Sequence, residues 1–111
     1  MNASELRIGN LIYNKEGNIV YVNTNHLTLL LYGIENEFKP IPLTEEWLLK
    51  FGFKKDFNGY LLKSLSFSIT RNGEFMICVE DRPTQTICYS VHHLQNLYFA
   101  IIGEELKQRE Q

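Results

Sequence analysis

The chain has 111 residues, 44% of them hydrophobic and 22% charged, which is the composition of a folded protein of single-domain size. Its formal net charge of −2 argues against an overall basic surface for a nucleic-acid backbone. No apolar run is long enough to cross a bilayer, and two cysteines are too few for a disulfide framework. We therefore expect a cytoplasmic protein that does not bind membranes.

The first part of the chain has the alternation that is typical of short β-strands. Residues 7–22 predict a hairpin in which Tyr13 pairs with Ile19 and Leu11 with Tyr21, across a polar loop at residues 14–18. Residues 24–26 predict a turn and residues 27–32 a third strand. Residues 38–43 contain two prolines, which favour an extended conformation. Four short strands indicate a small β-roll or barrel in residues 1–43.

A short helix is predicted next, as the connection between the two parts of the chain. Thr44 is a suitable N-cap, and the two glutamates that follow it favour the positive end of the helix dipole. Gly52 can adopt the left-handed conformation that ends a helix. Trp47, Leu48 and Phe51 lie at helical spacing, so they predict one apolar face.

After a turn at residues 58–59, the second part of the chain predicts an antiparallel β-meander. Leu65, Phe67 and Ile69 alternate with serine and threonine residues. The second apolar set, Phe75, Ile77 and Val79, alternates with Met76, Cys78 and Glu80. A two-residue turn at Asn72-Gly73 would place these two apolar sets on opposite faces. A three-residue loop at 71–73 pairs Ile69 with Phe75 and places them on one face, so we predict that loop.

The last strand and the last helix follow from the same patterns. A strand at residues 85–89 that pairs Val79 with Ile87 would place Cys78 opposite Cys88. Ser90 can cap a helix over residues 91–102, and Gly103 can end it. We therefore predict one α+β domain, residues 1–111: a β-roll subregion (1–43), then an α+β subregion (44–111) with the connecting helix, the antiparallel β-meander and a C-terminal helix.

One cluster of residues has the chemistry of metal ligands: Cys78, Cys88, His92 and His93. Adjacent histidines on a helix point about 100° apart, however, and no closely spaced cysteine pair is present. Zinc binding is thus the weakest of the functional hypotheses, and we predict no cofactor. No catalytic signature or phosphate-binding glycine loop is present, so we predict that the protein is not an enzyme.

Basic and aromatic residues alternate after the connecting helix. Such residues can bind single-stranded nucleic acid by charge and stacking, here through Lys50, Lys54, Lys55, Phe57, Tyr60 and Lys63. The alternative interpretation is that the lysines form a solvated edge and the aromatic residues belong to the core.

The C-terminal helix is apolar over more of its circumference than a helix on a single sheet normally hides. Its residues Leu94, Tyr98, Phe99 and Ile102 predict an interface with another protein chain, which could be a second copy. The alternative is that the helix is fully used inside the domain. Our leading prediction is a non-catalytic protein-interaction or accessory module.

Three segments resemble a family of small uncharacterised proteins from gut-anaerobe genomes and their phages or prophages. They are RIGN at residues 7–10, IPLTEEWLLKFGF at 41–53, and VHHLQNLYFA at 91–100 followed by GEEL at 103–106. The resemblance implies a small cytoplasmic accessory protein and suggests a mobile element as its source, but it implies no activity or ligand. The family pattern has glutamine at the position of His93, which weakens the zinc hypothesis.

Overall fold

The structure is a computed structural model that describes residues 2–34, 37–57, 59–80 and 82–108. It confirms the α+β class, with a two-stranded sheet, a connecting helix, a five-stranded antiparallel sheet and a C-terminal helix. The elements in chain order are a 3-10 helix (Ala3–Glu5), β1 (Leu11–Tyr13), β2 (Ile19–Tyr21), α1 (Thr24–Leu31), α2 (Glu45–Lys50), β3 (Lys54–Asp56), β4 (Gly59–Leu62), β5 (Leu65–Ile69), β6 (Phe75–Val79), β7 (Arg82–Cys88) and α3 (Val91–Ile102).

The first hairpin has the predicted register. Leu11 pairs with Tyr21 and Tyr13 with Ile19 in an antiparallel β1–β2 ladder. The Asn14 side chain holds the loop, because its Oδ1 accepts the backbone N–H of Glu16 and of Asn18 at 3.1 and 2.9 Å. Local turn chemistry therefore sets this register.

The predicted third strand at residues 27–32 is wrong, because this segment forms helix α1. Asn23 caps it: its side chain accepts the His26 N–H at 2.9 Å, and the His26 ring accepts the Asn23 N–H at 3.2 Å. Leu27 and Leu30, at helical spacing, pack against a small cluster formed by Leu6, Ile12, Val22 and Phe38. The first subregion thus has a two-stranded sheet and a helix where four strands were expected.

Residues 38–43 are extended as predicted, and we call them the connecting segment. They form isolated bridges instead of a full strand. Lys39 exchanges two backbone hydrogen bonds with Tyr13, at 2.9 and 3.0 Å. Farther along, the Leu43 N–H donates to Tyr89, and the Ile41 carbonyl accepts from Val91. The connecting segment therefore joins the first hairpin to the start of α3.

Helix α2 agrees with its prediction. The Thr44 hydroxyl accepts the Trp47 N–H at 3.4 Å, and Gly52 follows the helix with a φ of 94°. Trp47, Leu48 and Phe51 are buried. This short helix is therefore stabilised both by its cap and by one apolar face.

The large sheet has the order β3-β4-β5-β6-β7. The β5–β6 pairing is the predicted one, with Ile69 opposite Phe75, and Gly73 has a φ of 79° in the loop. Strand β3 was not predicted, because its sequence Lys-Lys-Asp is exposed and has no apolar alternation. Of the predicted turn at residues 58–59, Asn58 lies outside the described residues, and Gly59 already belongs to β4.

The predicted register of β6 with the last strand is wrong. Strand β7 begins at Arg82, and Cys78 pairs with Pro83, while Cys88 pairs with Phe75. A bulge between these pairs absorbs the difference: Gln85 has a φ of 63°, and the Thr84 hydroxyl donates to the Ile77 carbonyl at 2.9 Å. The two thiols are therefore not cross-strand neighbours.

Helix α3 has the predicted bounds, with Ser90 as N-cap and Gly103 left-handed at its end. It packs over the sheet in the main core, together with α2 and Leu11 of the first hairpin. The tail after α3 returns to this core through Leu106, which is 5% exposed. No helix in the described ranges is long and apolar enough to cross a membrane.

Candidate binding groove at the start of the C-terminal helix

A groove of about 610 Å³ lies where the connecting segment meets the start of α3. Its lining residues come from the 3-10 helix, the connecting segment and α3: Glu5, Pro40, Pro42, Tyr89, Ser90, His92, His93 and Asn96. We call this site the Pro–Tyr groove. Among the described residues that line it, Glu5 supplies the one carboxylate, and none is a lysine or an arginine.

Backbone hydrogen bonds position the apolar side of the groove. Pro42 and Ser90 form an antiparallel bridge, which places the connecting segment beside Tyr89. Pro40 and Pro42 are exposed and have no backbone N–H to donate, so what they present to the groove is the apolar surface of their rings. Tyr89 is exposed although its carbonyl is fixed by the Leu43 N–H. A hydrogen-bonded backbone thus presents an aromatic ring and two proline rings together.

His92 and Glu5 form the polar side of the groove. The His92 Nε2 lies 3.3 Å from a Glu5 carboxylate oxygen, and His92 is 6% exposed. Burial lowers the pKa of His92, and the nearby Glu5 carboxylate only partly opposes this effect. The His92 Nδ1 is buried and has no hydrogen-bond partner. In the groove, one ring nitrogen of His92 is thus beside the Glu5 carboxylate and the other is buried away from solvent.

A polar network anchors the floor of the groove to the N-terminal segment. Asn96 donates to the Glu5 carbonyl at 2.9 Å and accepts from Arg7 and from Asn10, each at 2.8 Å. Gln95 is 3% exposed and accepts the Leu11 N–H at 2.8 Å. None of these side chains was among the predicted site residues, although Arg7 and Asn10 lie in the RIGN segment and Gln95 and Asn96 in the VHHLQNLYFA segment.

The four proposed zinc ligands lie in three different surroundings. Cys78 is on the face of the sheet opposite the core, 3.8 Å from the Ser68 hydroxyl, whereas Cys88 is in the core. Burial raises the pKa of the Cys88 thiol to about 12. His92 and His93 both line the groove. Within the described ranges, no group of three or more His, Cys, Asp or Glu side chains is placed to hold a metal ion.

Three of the four proposed nucleic-acid lysines have acidic partners. The Nζ–carboxylate distances are 3.3 Å for Lys50 and Glu46, 3.4 Å for Lys55 and Glu45, and 2.9 Å for Lys63 and Glu104. The hydrogen bond to Glu104 raises the pKa of Lys63.

Tyr60 is buried, and its hydroxyl donates to Glu45. Burial and this hydrogen bond raise the pKa of Tyr60 to about 12, and the same bond lowers the pKa of Glu45. Only Lys54 and Phe57 of the proposed set present an exposed side chain without a described ion pair or hydrogen bond.

The proposed interface residues of α3 do not form one surface. Leu94 and Tyr98 are buried in the main core, and Ile102 is half-buried. Phe99 is exposed, and the Arg7 guanidinium lies 4.3 Å from its ring centroid. Most of the apolar surface of α3 is therefore used inside the protein, as in the alternative interpretation of the sequence.

The chain matches no family model, no curated protein and no solved structure.

Proposed function

We propose that the protein is a non-catalytic protein-interaction module that binds a segment of another protein chain in the Pro–Tyr groove. The observation that carries this proposal is the lining of the groove, in which exposed Tyr89 and two prolines lie together with the carboxylate of Glu5. Tyrosine is enriched at protein interfaces because its ring buries a large area and its hydroxyl stays polar.

The chemistry of the groove specifies what the partner segment would carry. An apolar or proline side chain would contact Tyr89, Pro40 and Pro42. A lysine, arginine or other hydrogen-bond donor would lie beside Glu5, whose side chain is 47% exposed. We therefore expect a preference for segments in which an apolar residue is close to a basic one.

Two further features support an accessory role of this kind in the cytoplasm. The cysteines Cys78 and Cys88 are free thiols, as is usual in a reducing compartment. The second feature is the resemblance to the family that includes phage and prophage proteins. Residues of two resembling segments, RIGN and VHHLQNLYFA, form the polar network beside the groove. We propose that the role is that of an adaptor, with no reaction of its own.

Peptide selection tests this proposal directly. Peptides would be selected on the full chain from a random 12-residue phage library, synthesised, and titrated by calorimetry. Tyr89→Ser should weaken their binding about tenfold or more, which is about 1.4 kcal/mol, because the ring is the main contact. Tyr21→Ser is the matched control, since Tyr21 is similarly exposed on β2. A library that yields no binder, or binders indifferent to Tyr89→Ser, would refute the proposed site.

Single-stranded nucleic-acid binding is the weaker proposal. It is supported by Phe57, whose side chain is 99% exposed, and by the neighbouring exposed Lys54. An exposed aromatic ring beside a cation is the arrangement that stacks on a base and contacts the phosphate.

A further inference from the structure

The Pro–Tyr groove holds a carboxylate whose charge no lysine or arginine among the described residues neutralises. Four other glutamates are each paired with a lysine or an arginine: Glu45, Glu46, Glu104 and Glu105. Glu5 is paired with His92 instead, through its Oε1. Within the described part of the chain its other oxygen, Oε2, makes no hydrogen bond or ion pair, and the side chain is 47% exposed. Glu5 therefore leaves one acceptor open to the groove.

His92 fixes the Glu5 carboxylate without cancelling its charge. Burial lowers the pKa of His92, so the ring is neutral at pH 7. A neutral imidazole carries one proton, and a bare ring nitrogen 3.3 Å from a carboxylate oxygen would be repelled by it. We therefore assign the proton to Nε2, which donates to Glu5. The groove keeps a full negative charge at neutral pH.

Tyr89 adds an aromatic face to this charge. Its ring is 66% exposed in the same groove, and the π-face of an aromatic ring attracts cations. A guanidinium group is planar, so it can stack on such a ring and at the same time donate N–H groups to a carboxylate. An ammonium group is a compact, strongly hydrated point charge and lacks the planar surface for stacking. The groove is thus complementary to a guanidinium group.

We propose that the Pro–Tyr groove recognises an arginine side chain of the partner segment, whose guanidinium donates to the free oxygen of Glu5 and stacks on the Tyr89 ring. This inference rests on the proposed function, because it names the residue that the partner segment places in the groove. The apolar residue beside that arginine contacts the rings of Pro40 and Pro42. Arginine and tyrosine are also the residues that most often dominate the binding energy of protein interfaces.

Titration of the full chain with N-acetyl-arginine amide, followed by NMR at physiological salt, tests the site without any peptide. The backbone amide signals of Glu5, Tyr89 and His92 should shift saturably, with a dissociation constant of about 1–10 mM for so small a ligand. N-acetyl-citrulline amide has nearly the same shape without the charge, and it should cause no saturable shift. N-acetyl-lysine amide should bind about threefold more weakly or worse, because its ammonium does not stack.

Glu5→Gln should weaken binding of the arginine compound about fivefold or more, since it removes the charge-assisted hydrogen bond. The amide oxygen of the new side chain can still accept the His92 N–H, so this variant should fold. Glu16→Gln makes the same change of charge at an exposed position in the first hairpin loop and is the matched control. It should bind like the wild type.

The proposal is overturned if the arginine compound causes no saturable shift in the groove, or if the citrulline or lysine compound binds equally well. Unchanged binding in Glu5→Gln would overturn it too. Library peptides that depend on Tyr89 but contain no arginine would contradict this inference and leave the proposed function standing. A library without binders would refute the proposed function, whereas the arginine titration decides the guanidinium site by itself.

Discussion

The side chain of Gln95 binds the backbone of Leu11, 84 residues earlier in the chain, in the interior of the protein. Its Oε1 accepts the Leu11 N–H at 2.8 Å, and its Nε2 donates to the Gly9 carbonyl at 3.3 Å. One amide thus satisfies the backbone groups on either side of Asn10. In this way α3 holds the start of the first hairpin in place.

Replacing Gln95 tests the strength of this contact. Gln95→Met keeps the volume but leaves the Leu11 N–H and the Gly9 carbonyl without their partner. We expect the free energy of unfolding to fall by about 1–3 kcal/mol, measured by urea denaturation. Asn25→Ala, at an exposed position on α1, should change it by less than about 0.5 kcal/mol. Wild-type stability in Gln95→Met would contradict this account of the network.

The buried His92 predicts a pH dependence of stability. Well above pH 6.5, the ordinary pKa of histidine, His92 is neutral in both the folded and the unfolded chain. Between pH 6.5 and the lowered pKa of the folded state, the unfolded chain binds a proton that the folded chain does not, so stability falls as the pH falls.

Unfolding measured at pH 7.5 and at pH 5 should therefore differ more for the wild type than for His92→Gln. His93→Gln, which changes the adjacent histidine, should keep most of the wild-type difference. Equal pH dependence in the wild type and His92→Gln would show that His92 does not carry this effect.

Two glycines allow a matched test of backbone crowding. A Cβ at Gly59 would lie 1.9 Å from the Phe67 carbonyl oxygen, whereas one at Gly73 would meet nothing within 4 Å. Gly73→Ala should cost only the strain of its positive φ, about 1–2 kcal/mol. Gly59→Ala should cost more than about 3 kcal/mol, because its φ of 139° is also disfavoured and, in addition, backbone atoms of β5 must move. Thermal unfolding of both variants checks that Gly59→Ala is the more destabilising change. The reverse result would contradict the close approach of Gly59 in β4 to the Phe67 backbone in β5.

The two cysteines should react at very different rates. Cys78 is half-buried, whereas Cys88 is buried and its pKa is raised to about 12, so little thiolate forms at neutral pH. Labelling with Ellman's reagent should show one fast and one slow thiol, and Cys78→Ser should remove the fast phase. Labelling in urea, where both thiols react, is the control. Two fast thiols in the native protein would mean that Cys88 is accessible.

The ion pairs of Lys50, Lys55 and Lys63 predict weak binding of nucleic acid. We expect fluorescence anisotropy with a 20-nucleotide oligothymidine to show a dissociation constant above about 100 µM at physiological salt. Tighter, salt-dependent binding that is lost in Lys54→Glu and Phe57→Ser would instead support the weaker proposal. Lys15→Glu, which lies in the loop of the first hairpin, would be the control for net charge.

Patterns within short stretches of sequence determined much of this fold. The caps Thr44 and Ser90, together with Gly52 and Gly103, are sufficient to place α2 and α3, because a cap satisfies helix ends with residues a few positions away. The registers at β1–β2 and β5–β6 follow from their loops and from keeping the apolar residues on one face. These signals are local, so they can be read without knowing the rest of the structure.

The tertiary structure decided what those patterns left open. Residues 27–31 are an apolar run, interrupted by Thr28, that fits a strand or a helix. The cap at Asn23 and the packing of Leu27 and Leu30 against Leu6 and Phe38 together select the helix. The bulge at Gln85 sets the β7 register, because it lengthens one strand without changing the apolar pattern. The groove, and the network that joins Arg7 and Asn10 to Asn96, bring together residues more than 80 positions apart. No spacing along the chain encodes such contacts, because they arise only when α3 packs against the N-terminal segment.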